Sequence, residues 1–288
     1  MTTGRSFFEY VKNKCYNGLY EAAEKYIRSN WRNLDSNARR LDDITYASLE
    51  DATIKRVYVQ DLPGMRVGFD VGLELEIDLG GHRRRDYEHD EDYPWIRILC
   101  EGDISKGLDD WIIKAIEPYN LQYAPMNSLS DALVPYIPNE RLEIHANDFL
   151  KKYYPEALKI TPHGHAPVYV DPKILAERLG LSILNHRIRG DASVFGQLYF
   201  EETDAEPYDS KAGEITKVRV PEKTIVVDPM NFLLRNLGPL NNTIVHECVH
   251  WVKHKKVFEL EKLFNPEASC ISCEVVGGAA AAVNKKAT

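Results

Sequence analysis

Residues 67–77 read Val-Gly-Phe-Asp-Val-Gly-Leu-Glu-Leu-Glu-Ile, so apolar side chains alternate with glycine or acidic residues. A period of two is typical of a β-strand that buries one face and exposes the other. Residues 54–60 have the composition of a partner strand, and residues 61–64 read Asp-Leu-Pro-Gly, which favours a turn. The stretch therefore predicts a β-hairpin in the N-terminal half of the chain.

Helical and extended segments surround this hairpin. Tyr, Leu, Ile and Ala recur at helical spacing over residues 7–31, which predicts one or two helices. Residues 97–101 suit a further strand, and the apolar positions of residues 108–116 favour a helix. The N-terminal half is thus predicted to be an α+β domain.

A change of composition separates the two halves. Residues 118–138 are rich in Pro, Asn and Ser, which is typical of a connection between domains. We place the boundary at residue 138, so that residues 1–138 form a separate N-terminal α+β domain, for which no role is predicted. Residues 139–288 then form a second domain.

The second half mixes helices with short strands. Residues 140–154 have an amphipathic helical pattern, and Asp171-Pro172 begins a helix that Gly180 ends. Residues 194–200 and 224–227 suit strands. A long helix is expected from the Asn241-Asn242 cap onward, because residues 243–264 contain neither Gly nor Pro.

The bulk composition indicates a soluble globular protein. The 288 residues carry a formal net charge of −8, which gives no support for a nucleic-acid-binding protein. No apolar stretch is long enough for a signal peptide or a membrane span. We expect a cytoplasmic protein with five reduced cysteines and no contact with membrane or nucleic acid. The oligomeric state is left open.

The expected long helix contains the pattern His246-Glu247-Cys248-Val249-His250. Residues four apart lie on one helix face, so the two imidazoles can converge on one Zn²⁺ ion. The carboxylate of Glu247 can reach a water molecule at the metal and take its proton as general base. Cys248 is expected to face the core. The pattern predicts a metallopeptidase site, with a chance surface coincidence as the alternative.

The third metal ligand is not settled by the sequence. His254 would lie roughly 12 Å along the axis from His246, eight residues at about 1.5 Å each, too far to share one ion. The following residues lack the Gly and His of a metzincin. Glu274 is the one candidate within the chain, and the other possibility is a residue beyond Thr288.

Three stretches resemble the ImmA/IrrE family of metallo-endopeptidases. Residues 167–172 (Pro-Val-Tyr-Val-Asp-Pro) and 175–181 (Leu-Ala-Glu-Arg-Leu-Gly-Leu) look like the entry strand and helix of that family. Residues 242–250 look like its active helix. The resemblance covers about residues 141–288, and residues 1–140 have no such likeness.

The resemblance implies a zincin-like domain, a small sheet packed on helices with the HExxH helix in the middle. It implies Zn²⁺ held by His246 and His250, with Glu247 as base, and an acidic third ligand on a following helix. Residues 284–288 look like the start of that helix, so we expect the chain to end before the ligand and to be impaired in activity. The implied substrate is a protein, such as a helix-turn-helix transcriptional repressor.

Two alternatives remain open. The chain could be a non-catalytic regulatory or protein-binding module whose metal site is vestigial or structural. Direct DNA binding is a third hypothesis, against which the negative charge speaks. The spacing of Cys270 and Cys273 also suits a metal or redox pair, but no second pair accompanies it, so unremarkable thiols are expected.

Overall fold

The computed structural model describes residues 6–34, 44–80, 90–119, 128–159, 169–191, 193–230, 237–276 and 279–281. The chain divides into two compact units, Met1–Tyr136 and Ile137–Thr288. Each unit contains both helices and β-strands, so the chain belongs to the α+β class. None of the helices in the described ranges combines the length and the apolar character that a membrane span requires.

The N-terminal unit is an antiparallel sheet with one long helix. Its elements are α1 (Phe7–Asn30), β1 (Tyr46–Asp61), β2 (Arg66–Gly80), β3 (Asp90–Asp92), β4 (Trp95–Asp103), β5 (Ile112–Pro118) and β6 (Ser128–Leu129). The sheet order is β5-β4-β2-β1-β6, with β3 paired to β2. The predicted hairpin is confirmed as β1 and β2, whose register runs from Tyr46↔Gly80 to Asp61↔Val67.

The alternation of β2 explains how helix and sheet pack. Every second residue from Val67 to Ile77 is at most 2% exposed, which makes one face of the strand wholly apolar. Helix α1 buries a stripe of residues spaced four apart, from Phe7 to Ile27. The ring of Phe7 meets that of Phe69 edge-on, with centroids 5.8 Å apart, so the helix covers the apolar face of the sheet.

The helix predicted over residues 108–116 is wrong. Residues 112–118 form β5, which pairs with β4. Gly107 and Leu108 both have left-handed backbone angles, with φ of 58° and 57°, so the chain turns sharply there. The β-branched Ile112, Ile113 and Ile116 then extend along β4 and satisfy its hydrogen bonds.

In its described residues, the C-terminal unit contains a mixed sheet and four α-helices. Its helices are α2 (Leu142–Tyr153), α3 (Pro172–Arg178), α4 (Leu237–Lys253) and α5 (Lys255–Phe264). Its strands are β7 (Ser182–Asn185), β8 (Val194–Tyr199), β9 (Thr203–Ala205), β10 (Tyr208–Asp209), β11 (Glu214–Ile215), β12 (Val218–Val220), β13 (Thr224–Val227), β14 (Cys270–Val276) and β15 (Ala279–Ala281). The main sheet has the order β15-β14-β8-β13-β7.

The predicted caps of α3 are confirmed. The Asp171 side chain accepts a hydrogen bond from the backbone N–H of Lys173 at 2.9 Å, and Pro172 occupies the first turn. Gly180 follows the helix with φ of +71°, a conformation that glycine adopts at little cost. Helix α3 packs against α4, and its Leu175 is fully buried.

The single long helix predicted from Asn242 to Phe264 is wrong at both its start and its middle. Helix α4 begins at Leu237, and Pro239 lies in its first turn, where a missing backbone N–H costs little. The helical path breaks at His254, whose φ and ψ are −114° and 17°, and α5 begins at the next residue. Two helices therefore stand where one was predicted.

Helix α4 is held by the apolar core of the unit. Ile244 and Cys248 pack with Leu198 of β8 and with Ile225 and Val227 of β13. A second apolar cluster, which includes Tyr199 and Val226, contains the neighbouring residues of the same strands. Because successive residues of β8 and β13 divide between the two clusters, both faces of the sheet are covered and β13 is a core strand.

Candidate metal site

Two histidines of α4 bring their ring nitrogens together. His246 and His250 are one helical turn apart, and their Nε2 atoms lie 2.8 Å from each other. The rings meet edge-on, with centroids 4.5 Å apart. The core contacts of Ile244 and Cys248 fix the rotation of α4 and so direct the histidine face away from the apolar cluster.

Burial keeps both imidazoles neutral. Desolvation, together with the nearby rings of His254 and His246, lowers the pKa of His250 to about 3. Desolvation also lowers the pKa of His246. A neutral imidazole has one nitrogen with an available lone pair, which is the form that binds a metal ion.

Glu247 is completely buried between α4 and the sheet. Its exposed fraction is 0%, and neither carboxylate oxygen has a hydrogen-bond partner among the described residues. Burial raises its pKa to about 8. Buried polar groups in proteins are nearly always hydrogen-bonded, so a carboxylate in this setting suits a place where it can contact a bound ion or water molecule.

The Glu247 carboxylate lies in the space that a glycine on strand β8 leaves free. A Cβ atom added at Gly196 would lie 2.9 Å from Glu247 Oε1 and 2.6 Å from Thr243 Cγ2. These distances are shorter than a side chain tolerates, so a residue larger than glycine would displace the carboxylate or the helix. The sequence alone did not identify Gly196, because its role depends on the pairing of β8 with its neighbours.

The two histidines fit a zinc ion. Two nitrogens that each bind zinc at about 2.0–2.1 Å in a tetrahedral arrangement lie about 3.3 Å apart, so the Nε2 atoms, which are 2.8 Å apart, would separate by about 0.5 Å to take an ion. Among the side chains that the structure describes, which do not include that of Glu274, no group of three His, Cys, Asp or Glu residues is arranged for a metal. Glu274 lies on β14, where it pairs with Val194 of β8. Its side chain and residues 284–288 are outside the part of the chain that the structure describes.

His254 lies close to this site, which the sequence did not predict. Its Nδ1 atom contacts Nδ1 of His250, and the two ring centroids are 4.6 Å apart. His250 therefore presents Nε2 to His246 and Nδ1 to His254, on opposite sides of its ring. The spacing of three histidines at intervals of four was the available signal.

A cavity of about 650 Å³ opens beside the histidines. It is lined by His246 together with Tyr169, Asn241, Val245 and Val249, among others. The Asn241 amide donates a hydrogen bond to the Tyr169 hydroxyl at 3.0 Å, which ties α4 to the segment before α3. An adjoining apolar cavity of about 430 Å³ shares Val245 and Val249 and extends to Phe149 of α2.

Two cysteines considered in the sequence, Cys248 and Cys270, pack in or against the apolar clusters of the unit. Cys248 is a fully buried core residue, as predicted, and burial raises the pKa of its thiol to about 12. Cys270 lies on β14 against the second apolar cluster. The histidines at 163 and 165 and the basic stretch 82–85 fall outside the described residues.

Comparison with known proteins returned no similarity: no family model, no curated protein and no solved structure matches this chain.

Proposed function

We propose that the C-terminal unit is a zinc-dependent endopeptidase that cleaves a protein substrate. His246 and His250 are the proposed zinc ligands and Glu247 the general base. One arrangement carries the proposal: two neutral imidazole nitrogens lie 2.8 Å apart on the same helical turn as a buried carboxylate that has no hydrogen-bond partner among the described residues. A purely structural helix gains nothing from this combination, since the buried carboxylate destabilises the fold.

In the proposed reaction, zinc would act as the Lewis acid, and residues of the chain would hold the metal and transfer the proton. A bound zinc ion supplies Lewis acidity, which polarises a peptide carbonyl and lowers the pKa of a water molecule to about 7. His246 and His250 would hold the ion, and because both rings are neutral, each has one ring nitrogen with a lone pair to offer. Glu247 takes a proton from the attacking water at a carboxylate oxygen and delivers it to the leaving amine. Its burial suits a proton acceptor that works near neutral pH.

We extend the proposal to the domain and its substrate. Helix α4 lies between α3 and the strands β8 and β13, which supports a zincin-like domain with the HExxH helix in the middle. The cavity beside His246 provides space for a peptide segment. By the resemblance to the ImmA/IrrE family, the substrate is a regulatory protein such as a helix-turn-helix repressor.

Zinc binding and cleavage test the proposal separately. The zinc content of the purified chain is measured beside His246→Ala, and cleavage is measured by mass spectrometry on a proteome-derived peptide library. We expect one zinc per chain, its loss in His246→Ala, and cleavage that disappears in Glu247→Gln while zinc is retained. A chain that binds no zinc contradicts the proposal. Zinc binding without cleavage of any peptide favours a non-catalytic regulatory module, in which the metal is structural.

A further inference from the structure

The contact between His250 and His254 has a consequence for the tautomer of His250. A neutral imidazole carries its proton on one nitrogen and a lone pair on the other. His250 can serve as a metal ligand through Nε2 only if its proton is on Nδ1. The structure brings Nδ1 of His254 into contact with that same Nδ1 atom.

We propose that His254 is a positioning residue, which accepts a hydrogen bond from His250 Nδ1–H and so holds His250 Nε2 ready for the metal. This inference rests on the proposed function for the identity of the ion. The direction of the hydrogen bond follows from the tautomer that can bind a metal. When His250 keeps a lone pair on Nε2, its proton is on Nδ1, so His250 Nδ1 is the donor and His254 Nδ1 is the acceptor.

The break between α4 and α5 places His254 for this role. The backbone N–H of His254 still donates to the carbonyl of His250 at 2.8 Å, as in a continuing helix. The N–H of Phe258 donates to the carbonyl of His254 at 3.0 Å, as the first turn of α5. His254 therefore has backbone hydrogen bonds to both helices, although its own φ and ψ are not helical.

Aromatic rings on either side hold the break in place. The ring of Phe200 lies 5.3 Å from that of Trp251 on α4 and stacks at 4.5 Å on that of Phe258 on α5. Lys255 lies over the Trp251 ring at 3.9 Å. Because one ring contacts both helices, the angle between them is restrained, and so is the position of His254.

A hydrogen bond to the second nitrogen of a metal-binding histidine has a measurable effect. Such partners fix the orientation of the ring and its tautomer, and their removal lowers metal affinity by about 10–100-fold. The usual partner is a carboxylate or a backbone carbonyl. Unlike a carboxylate, His254 is a neutral acceptor, so it orients His250 without adding negative charge to the site.

The test compares two substitutions of His254 in the full chain. His254→Phe keeps a ring of similar size but has no acceptor, whereas His254→Asn keeps an acceptor near the position of Nδ1. We expect His254→Phe to weaken Zn²⁺ binding about 10–100-fold in competition with a chromophoric chelator. His254→Asn should bind zinc nearly as tightly as the wild type. His186→Phe, a histidine outside the site, is the control and should change nothing.

The ring protons of His250 give a second measurement that needs no zinc. Long-range ¹⁵N–¹H spectra of the zinc-free chain should show the His250 proton on Nδ1 in the wild type and in His254→Asn. A proton on Nε2 in the wild type, or equal zinc affinities for His254→Phe and the wild type, would overturn the inference. If His254→Phe and His254→Asn lost the same amount of zinc affinity, the hydrogen bond from His250 would not be the cause of the loss. A wild-type chain that binds no zinc refutes the proposed function alone, since the tautomer still tests the role of His254.

Discussion

Gly196 on β8 lies directly against Glu247 on α4: a Cβ atom at position 196 would be 2.9 Å from Glu247 Oε1. The absence of a side chain on one strand thus determines where a carboxylate on the facing helix can lie. A fully buried carboxylate has no solvent into which it can move, so either the helix or the carboxylate must shift when this space is filled.

We expect Gly196→Ala to destabilise the C-terminal unit and to impair its proposed chemistry. Overpacking of a core usually costs about 1–3 kcal/mol of unfolding free energy, which urea denaturation would measure. Gly68→Ala on β2 is the matched control, because a Cβ there meets its nearest neighbour at an ordinary 3.5 Å. If Gly196→Ala is as stable as the wild type, Glu247 is not confined by β8 as the geometry indicates.

Glu247 should also make the stability of the zinc-free chain depend on pH. Its pKa is about 8 in the folded state and near 4.5 in the unfolded state, so the folded state binds the proton more tightly. The contribution of Glu247 to stability is then largest below pH 4.5 and is lost as the pH rises from 4.5 to 8, because the buried carboxyl must lose its proton. The cost is at most about 5 kcal/mol, at about 1.4 kcal/mol per pKa unit.

Glu247→Gln should remove this dependence. The amide has the shape of the carboxyl but no charge at any pH, so the zinc-free variant should be more stable than the wild type at pH 8 and similar to it at pH 4.5. Urea denaturation across this range, with a chelator present, measures both curves. Parallel curves for the two proteins would show that Glu247 is solvated or paired in the folded chain.

A second buried carboxylate, in the N-terminal unit, leads to a separate prediction. Asp70 on β2 is 4% exposed and lies 3.4 Å from the guanidinium Nε of Arg97 on β4. Burial, with a smaller effect of Glu117 in the same direction, raises the pKa of Asp70 to about 6 despite the opposing effect of Arg97. Desolvation therefore outweighs the ion pair, as it often does for buried pairs.

Asp70→Asn should flatten the pH dependence of the N-terminal unit between pH 4 and 6. In the wild type the folded state binds the proton more tightly, so stability falls as the pH rises from 3.8 to 6. The expected difference is about 1–3 kcal/mol over this range. Urea denaturation monitored by hydrogen exchange in β2 and β4 measures it. A stability that instead rises with pH would mean that Arg97 dominates.

The sequence predicted the regular part of the fold well. The alternation over residues 67–77 predicted β2 because one face of that strand is apolar throughout. The caps of α3 were recognised because Asp171 and Gly180 act on residues close to them in the chain. These signals are local, and no distant contact competes with them.

The sequence failed where distant pairing decides the structure. Residues 108–116 were predicted to be a helix from their spacing, yet pairing with the edge of β4 makes residues 112–118 a strand. The break at His254 was missed because no Gly or Pro marks it, and the stacking of Phe200 on Phe258 holds it from another element. For the site, His246, Glu247 and His250 were recognised by pattern, whereas Gly196 and His254 depend on contacts between elements.

Zinc should protect α4 and α5 against hydrogen exchange. A ligand that binds only the folded state stabilises it by about 2.7 kcal/mol at a hundredfold excess over its Kd, which slows exchange through unfolding about 100-fold. The proposed ligands lie on α4, and His254 connects their site to α5. Zinc should therefore increase the protection of the backbone amides of residues 240–264, and His246→Ala should abolish this increase. Protection confined to another part of the chain, or its persistence in His246→Ala, would place the zinc elsewhere.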